Sequence, residues 1–292
     1  MNFNHLRGLA RNAVLWTPED RIEFIRADRW IGYSSAKNIL AEMKDLIDHP
    51  RNLRMPCRAI VGDPDNGKSM LLQECAKRHP VKEDGNDECY LAVLVFETPS
   101  EPSEGRLYSE ILKALKVAHR EDAPPEKLLT KVIEKFYVLG IRLLMADEFH
   151  NMLHGPSRNQ RQFLAALKSL LNVLRVSFIV AGTHDIITAL ATDHQFVTRF
   201  EKLVMPKWGL NNEARRLLAS FEAVLPLAEP SGLANNVGLA QEIILGGNGT
   251  IGGITKVVKR AAIETLRSGK EQIGRTEIEA AVAYLRKREV IA

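Results

Sequence analysis

Gly62-Asp63-Pro64-Asp65-Asn66-Gly67-Lys68-Ser69 is the stretch that decides how this chain is read. It fits G-x-x-x-x-G-K-[ST] and lies between a short apolar run, Arg58 to Val61, and a segment with helical periodicity, Lys68 to Arg78. A strand feeding a Gly-rich turn that opens a helix aims backbone N–H groups and a positive helix end at phosphate. Asp63, Pro64, Asp65, Asn66 and Gly67 would wrap the phosphates. Lys68 would reach the β/γ-phosphates, Ser69 would hold Mg²⁺, and Met70 would follow in the first helical turn. The ligand implied is ATP with Mg²⁺.

Outward from this turn, apolar runs alternate with helical periodicity. Leu91 to Phe96, Ile141 to Ala146 and Val176 to Ala181 read as strands buried on both faces, because consecutive positions are apolar. Helices are expected over 107–118, 125–138 and 160–174, with polar loops at 80–89 and 97–106. Upstream, Thr17-Pro18-Glu19-Asp20 caps a helical run from Arg21 to Arg26, and a second helix runs from Ser34 to about Ile47 before Pro50. The alternation predicts an α/β fold, a parallel sheet flanked by helices. After Trp208 only helical patterns remain. The expected organisation is an N-terminal extension over 1–30, an α/β core over 31–208 and a small all-helical lid with the C-terminal segment over 209–292, the boundary falling near 206–212.

Composition excludes other classes. The 292 residues are 45% hydrophobic and 26% charged, which excludes a disordered or collagen-like chain. Three cysteines (Cys57, Cys75, Cys89) are too few for a disulfide scaffold or a zinc site, and they read as buried small hydrophobes in a reducing compartment. No apolar run reaches the roughly 18 residues that span a bilayer, and MNFNHLRGLARNAVLW lacks the apolar stretch of a signal peptide. A cytoplasmic protein without a membrane partner is expected. A net charge of +4 permits a nucleic-acid partner without demanding one.

Asp147-Glu148 ends the strand from Ile141, about 80 residues after the phosphate turn. Asp147 would bind Mg²⁺, and Glu148 would take a proton from the attacking water. Gly182-Thr183-His184-Asp185 follows the next strand. Thr183, or failing it His184, would touch the γ-phosphate or orient the water, unless it simply caps the turn. Arg199 would serve a neighbouring subunit's γ-phosphate, the alternative being a surface ion pair with Glu201. Glu148, His150 and His154 lack metalloprotease order, so loop roles outweigh zinc ligation. The Leu164/Leu167/Leu170/Leu171/Leu174 stripe is expected to be a helix core face.

With Trp30-Ile31-Gly32-Tyr33, the Asn66-Gly67-Lys68 turn, Asp147-Glu148-Phe149-His150-Asn151-Met152-Leu153, Gly182-Thr183-His184-Asp185 and Arg199-Phe200-Glu201 through Pro206-Lys207-Trp208, the chain resembles the TniB/TnsC family over about residues 15–265. These are AAA+ P-loop ATPases of Tn7-like and Tn5053-like transposons, including CRISPR-associated ones. The resemblance implies an ATP-dependent regulator that forms a ring or helical homo-oligomer on double-stranded DNA. It would bridge a TniQ/TnsD-like targeting factor and the transposase. Ile31, Gly32 and Tyr33 would contact adenine. Sequence-tolerant DNA contact would fall to cations on loops that a ring turns toward its axis: Arg106, Lys113, Lys116 and Arg120, with Arg158 and Arg161. AAA+ lid helices often open with an arginine that touches the γ-phosphate, but Gly253 stands at the matching place here. The rival readings are another DNA-handling AAA+ ATPase, such as a replication initiator or helicase loader, and a P-loop kinase.

Overall fold

The computed structural model describes residues 3–83, 89–191, 196 and 198–289. The chain divides into an α/β unit of residues 35–64 and 68–205 and a helical unit of residues 1–34, 65–67 and 206–292.

In the α/β unit, β1 (Cys57–Val61) is followed by a two-residue ribbon, β2 (Lys82–Glu83) and β3 (Cys89–Tyr90). β4 (Val93–Glu97), β5 (Leu143–Asp147), β6 (Ser177–Gly182) and β7 (Phe200–Val204) come next. The five longer strands form one parallel sheet in the order β4-β5-β6-β1-β7. β6 is therefore inserted between the strand that leads into the phosphate turn and the strand that ends in Asp147. β5 and β6 are buried at successive positions, and β1 at all but Arg58, because helices cover both faces. β7 was not foreseen. It is an edge strand with Glu201, Lys202 and Val204 exposed, so its sequence shows no apolar run.

Around the sheet lie α3 (Ser34–Asp48), α4 (Lys68–Arg78), α5 (Glu104–Ala114), α6 (Pro125–Val138), α7 (Ser157–Leu174) and α8 (Asp185–Ala191). α5 starts and stops earlier than the expected 107–118. The Ser103 hydroxyl caps it by accepting the Arg106 N–H, and Lys116 turns out of the helix at φ +56°, with Val117 N–H bonded to Leu112 O. α7 starts at Ser157, after Pro156 rather than at Gln160, and its leucine stripe is buried as expected. The core joins Leu144, Ala146, Phe149, Phe163, Leu167 and Phe178.

The helical unit contains α1 (Ala10–Ala13), α2 (Pro18–Arg26), α9 (Asn212–Glu222), α10 (Val237–Gly246), α11 (Ile251–Arg267) and α12 (Arg275–Glu289). Residues 1–34 belong to it rather than forming a separate extension, and the residues expected to open the α/β core at 31–34 go with them. The reason is burial: Ile25 is fully enclosed among Leu218, Phe221, Val257 and Ile278, and Ile31 and Tyr33 pack against the same cluster. Arg21, also buried, donates to Pro226 O and to Glu271, which supplies the partners a buried guanidinium requires. Among the described residues, no helix is long and apolar enough to cross a membrane.

A candidate phosphate site at the carboxyl end of the sheet

Because β1, β5 and β6 run parallel, the turns that follow them leave from one edge of the sheet. Val61 lies opposite Gly182, and Gly62 N–H donates to Gly182 O at 3.3 Å. Such a carboxyl edge is where open α/β sheets take their ligands. Lys68, the first residue of α4, is 6% exposed, and its ammonium donates to Gly62 O (2.9 Å) and Asp63 O (2.7 Å). The turn thus curls around its own lysine, and both Asp65 (φ +60°) and Gly67 (φ +80°) take left-handed backbone to do so. A buried ammonium held by carbonyls presents a fixed positive charge to a phosphate ligand. Ser69 is partly buried and Met70 is 40% exposed.

At the end of β5, Asp147 Oδ1 accepts the Glu148 N–H at 2.9 Å. Glu148 is itself left-handed (φ 49°, ψ 40°) and leads into a 3₁₀ turn over Phe149–Leu153. The turn is pinned from below by Phe149 and Met152, both fully buried. It is pinned from the side by Asn151 Nδ2–H to Thr98 O (3.2 Å) and Thr98 N–H to Asp147 O (2.9 Å). Thr98 is a site residue that sequence reasoning missed, and its buried hydroxyl has no hydrogen-bond partner among the described residues. Its only signal was its place immediately after a strand that pairs with the acidic one. Glu148 stays partly exposed, with Oε2 3.2 Å from His150 Nδ1. Among the described residues no group of three or more His, Cys, Asp and Glu side chains is placed to hold a metal ion. The hydroxyl of Ser69 and the carboxylate of Asp147 are hard oxygen donors too few to hold a cation alone. That donor set fits Mg²⁺ brought in with phosphates and water.

The remaining expectations divide. Thr183 donates its hydroxyl to Asp185 Oδ2 (3.1 Å) and its carbonyl accepts Ile186 N–H, so the turn-capping reading accounts for it; His184 is exposed. Arg199 does not pair with Glu201, which is taken by Arg58 at 3.1 Å; it donates to Asn172 Oδ1 at 2.9 Å. It immediately precedes β7, at the amino edge of the sheet, the opposite end from the phosphate turn. Cys57 and Cys75 are buried, which pushes their thiols up to about 11 and about 12 and leaves them chemically quiet.

Within the helical unit, Asp65 and Asn66 are fastened to the start of α11. Ile251 N–H donates to Asn66 Oδ1 (3.4 Å), Gly252 N–H to Asp65 O (2.9 Å), and Lys256 Nζ meets Asp65 Oδ2 at 2.7 Å. A Cβ at Gly252 would lie 2.6 Å from Asp65 O, and one at Gly253 would lie 2.7 Å from the Gly247 carbonyl carbon. No arginine fits at 253. Lys256, one turn on, is the α11 cation that meets Asp65, and sequence reasoning passed over it. Ile31 and Tyr33 are occupied in packing: the Tyr33 ring stands edge-on to Trp208 at 5.0 Å, and burial beside Glu213 pushes its phenol up to about 12. Nothing in that packing assigns Ile31, Gly32 or Tyr33 to adenine.

A family profile described as "Bacterial TniB protein" matches residues 21–210. The chain belongs to the TniB family. No curated protein sequence matches it. Among solved structures it is similar to the Aeropyrum pernix ORC2 protein in ADPNP and ADP complexes (TM-score 0.63, 16% identity, 90% of this chain and 71% of that one). It is also similar to the Aeropyrum pernix ORC1 protein in complex with DNA (0.62, 13%, 90% and 69%) and to the Thermotoga maritima RuvB Holliday junction branch migration motor (0.53, 15%, 90% and 73%). The fold is that of an AAA+ P-loop NTPase.

The expected DNA-contacting cations of this TniB-family chain separate into two groups. Arg106 is paired with Glu101 (2.8 Å), Lys113 with Glu110 (2.9 Å) and Glu121 (2.8 Å), and Arg120 with Asp122 (2.8 Å). Lys116, Arg158 and Arg161 are not buried and make no ion pair among the described residues. The first turns of α7 carry Arg158 and Arg161 on a helix that contains no Asp or Glu.

Proposed function

We propose that this TniB-family chain is a Mg²⁺-dependent ATPase that oligomerises on double-stranded DNA and links a TniQ/TnsD-like targeting factor to a transposase. Family membership supports the transposition role. The observation that carries the ATPase reading is the gathering of Lys68, Asp147 and Glu148 at one edge of a parallel sheet. Lys68 supplies the counter-charge for the β/γ-phosphates, and the turn's N–H groups orient them. Ser69 and Asp147 would hold Mg²⁺, which neutralises charge between those phosphates when bound. Glu148 takes the proton of a water whose oxygen forms the new bond to the γ-phosphorus as the bond to the ADP oxygen breaks.

Arg199 acts on a neighbour's site. β7 pairs with β1 along five residues, Phe200 opposite Cys57 and Val204 opposite Val61. At about 3.3 Å per residue Arg199 stands roughly 20 Å from the phosphate turn of its own chain. Thr183 is retained as the γ-phosphate contact that exchanges its Asp185 bond for the ligand. For DNA, Arg158 and Arg161 are favoured over the carboxylate-paired Arg106, Lys113 and Arg120, with Lys116 between the two groups. Because the fold likeness is to ORC proteins and RuvB, another DNA-handling AAA+ role is the second reading.

Three variants test the reading in ATP-binding and steady-state hydrolysis assays. Lys68→Ala should lose ATP binding. Glu148→Gln should bind and lose about 10²–10⁴ in turnover. Arg199→Ala should bind without turnover, and mixing it with Lys68→Ala should restore part of the activity through composite sites. Wild-type turnover by Glu148→Gln would remove the base assignment. A chain that stays monomeric in size-exclusion chromatography with ATP and duplex DNA would remove the assembly reading.

A further inference from the structure

We propose that His150 is the positioning residue for Glu148, its imidazole fixing the carboxylate that takes the proton from water; this rests on Glu148 being the base. Three observations converge on it. Glu148 holds a left-handed backbone (φ 49°, ψ 40°), uncommon for a residue with a long side chain, and the surrounding bonds enforce it: its N–H to Asp147 Oδ1 and its carbonyl from Asn151 N–H, both at 2.9 Å. The direction in which the carboxylate leaves the chain is therefore built in, two residues before His150.

The second observation is a nitrogen without a bond. His150 Nδ1 is shut off from water and lies 3.2 Å from Glu148 Oε2, yet off the hydrogen-bond line, and among the described residues it has no aligned partner. A buried polar atom left unpaired is unfavourable. A small turn of the Glu148 carboxylate would satisfy it, which makes this carboxylate the acceptor the nitrogen is placed for. The His154 ring, 6.3 Å away and perpendicular, does not supply one.

The third is the space. Gly182, ending β6, leaves room for the ring: a Cβ there would sit 3.3 Å from His150 Nδ1 and 3.4 Å from its backbone nitrogen, and would drive into Ile186. The carboxyl end of the sheet's inserted strand is thus shaped to admit the imidazole beside the base. With Nδ1–H donating to one carboxylate oxygen, the other keeps its lone pairs for the water, and rotamers that carry the carboxylate away are disfavoured. The imidazole itself moves no proton in the reaction.

The test uses the full chain with saturating duplex DNA, comparing His150→Ala, His150→Asn, Glu148→Gln and the double variant. ATP affinity is measured with a fluorescent nucleotide, alongside turnover and thermal midpoint. His150→Ala should lower kcat about 10- to 100-fold, part of the 10²–10⁴ that a general base supplies, with KM, ATP affinity and midpoint unchanged. His150→Asn, which keeps a donor near the Nδ1 position, should recover most of it. In the Glu148→Gln background the histidine change should cost nothing more. Unchanged kcat in both His150 variants while Glu148→Gln is inactive would overturn the proposal. So would a loss in His150→Ala that Asn fails to rescue and that ATP affinity shares. Wild-type turnover by Glu148→Gln would fail at the earlier step, the base assignment itself.

Discussion

Replacing Gly253 by alanine should destabilise the helical unit even though alanine is the better helix former. Gly253 lies in the first turn of α11, where the exchange is worth roughly 1 kcal/mol in propensity. Against this, the new Cβ would stand 2.7 Å from the Gly247 carbonyl carbon and 2.9 Å from its Cα, with the carbonyl oxygen nearer still. These are backbone atoms held in place by Gly247 N–H to Ile243 O and by Thr250 N–H to Gly247 O, both at 3.0 Å, so they cannot swing aside. Carbon atoms rest at about 3.5–4.0 Å, so the two backbones must part by roughly 1 Å, and overpacking of this kind costs about 1–3 kcal/mol. The shift also strains the Thr250 cap, whose hydroxyl accepts Gly253 N–H at 3.1 Å and whose loss costs about 1 kcal/mol. The net is a loss of about 1–3 kcal/mol. Gly238 in α10 is the control: a Cβ there meets only Asn236 Oδ1, at 3.4 Å, so Gly238→Ala should gain up to about 1 kcal/mol. Urea unfolding followed by tryptophan fluorescence reads the helical unit alone, because Trp16, Trp30 and Trp208 all belong to it. A midpoint for Gly253→Ala equal to or above wild type would refute the backbone-contact argument.

Two further outcomes follow from charge placement. Neutralising Arg158 and Arg161 together should flatten the log–log salt dependence of DNA binding by about 1.8, at about 0.9 for each phosphate that is no longer neutralised, with ATP binding intact; an unchanged slope in filter-binding titrations would move the DNA surface elsewhere. Glu271 is held below its ordinary value of 4.5 by the Arg21 guanidinium and then by Ala228 N–H. A depressed carboxylate contributes stability above its unfolded pKa and loses it as pH falls through the folded one. Partial exposure screens the pair, so Glu271→Gln should remove at most about 1 kcal/mol at pH 7 and flatten the acid limb below about pH 4.5, read by the same fluorescence; an unaltered acid limb would show that the pair does not govern it.

What could be read from the sequence, and what could not, follows the range of the interactions. β4, β5 and β6 announced themselves through runs of consecutive apolar residues, β1 through the short run Ala59-Ile60-Val61 leading into the phosphate turn, and the turn itself because its spacing is fixed by backbone geometry. β7 was silent, since Glu201, Lys202 and Val204 lie exposed and break any apolar run. The place of the first 34 residues was hidden in Arg21, whose partners Pro226 and Glu271 lie 205 and 250 positions away. The pairing of Lys113 with Glu121 was equally invisible, because α5 ends and the chain turns at Lys116 between them. Of the candidate site, residue types were legible and orientation was not: His150 read as a discounted metal ligand until the left-handed Glu148 set the two side chains facing each other.

The parallel sheet also separates charge along its strands. At the carboxyl edge stand the phosphate turn, Asp147 and Glu148. At the amino edge Arg142 precedes β5, Arg199 precedes β7, and Arg54 lies three residues before β1. Arg54 donates to Thr198 Oγ1, Arg142 to the carbonyls of Ile47 and His49, and Arg199 to Asn172 Oδ1, so uncharged oxygens receive all three guanidinium groups. Hydrogen bonds of this kind orient an arginine without cancelling its charge. In the proposed assembly, phosphates bound at one end of the strands would meet the arginines at the other end of the next copy, a contact between unlike surfaces. Head-to-tail contact between unlike surfaces closes into rings or continues as helices. The proposed reach of Arg199 into a neighbour's site, which the mixing experiment tests, would thus use strand polarity as much as the arginine itself.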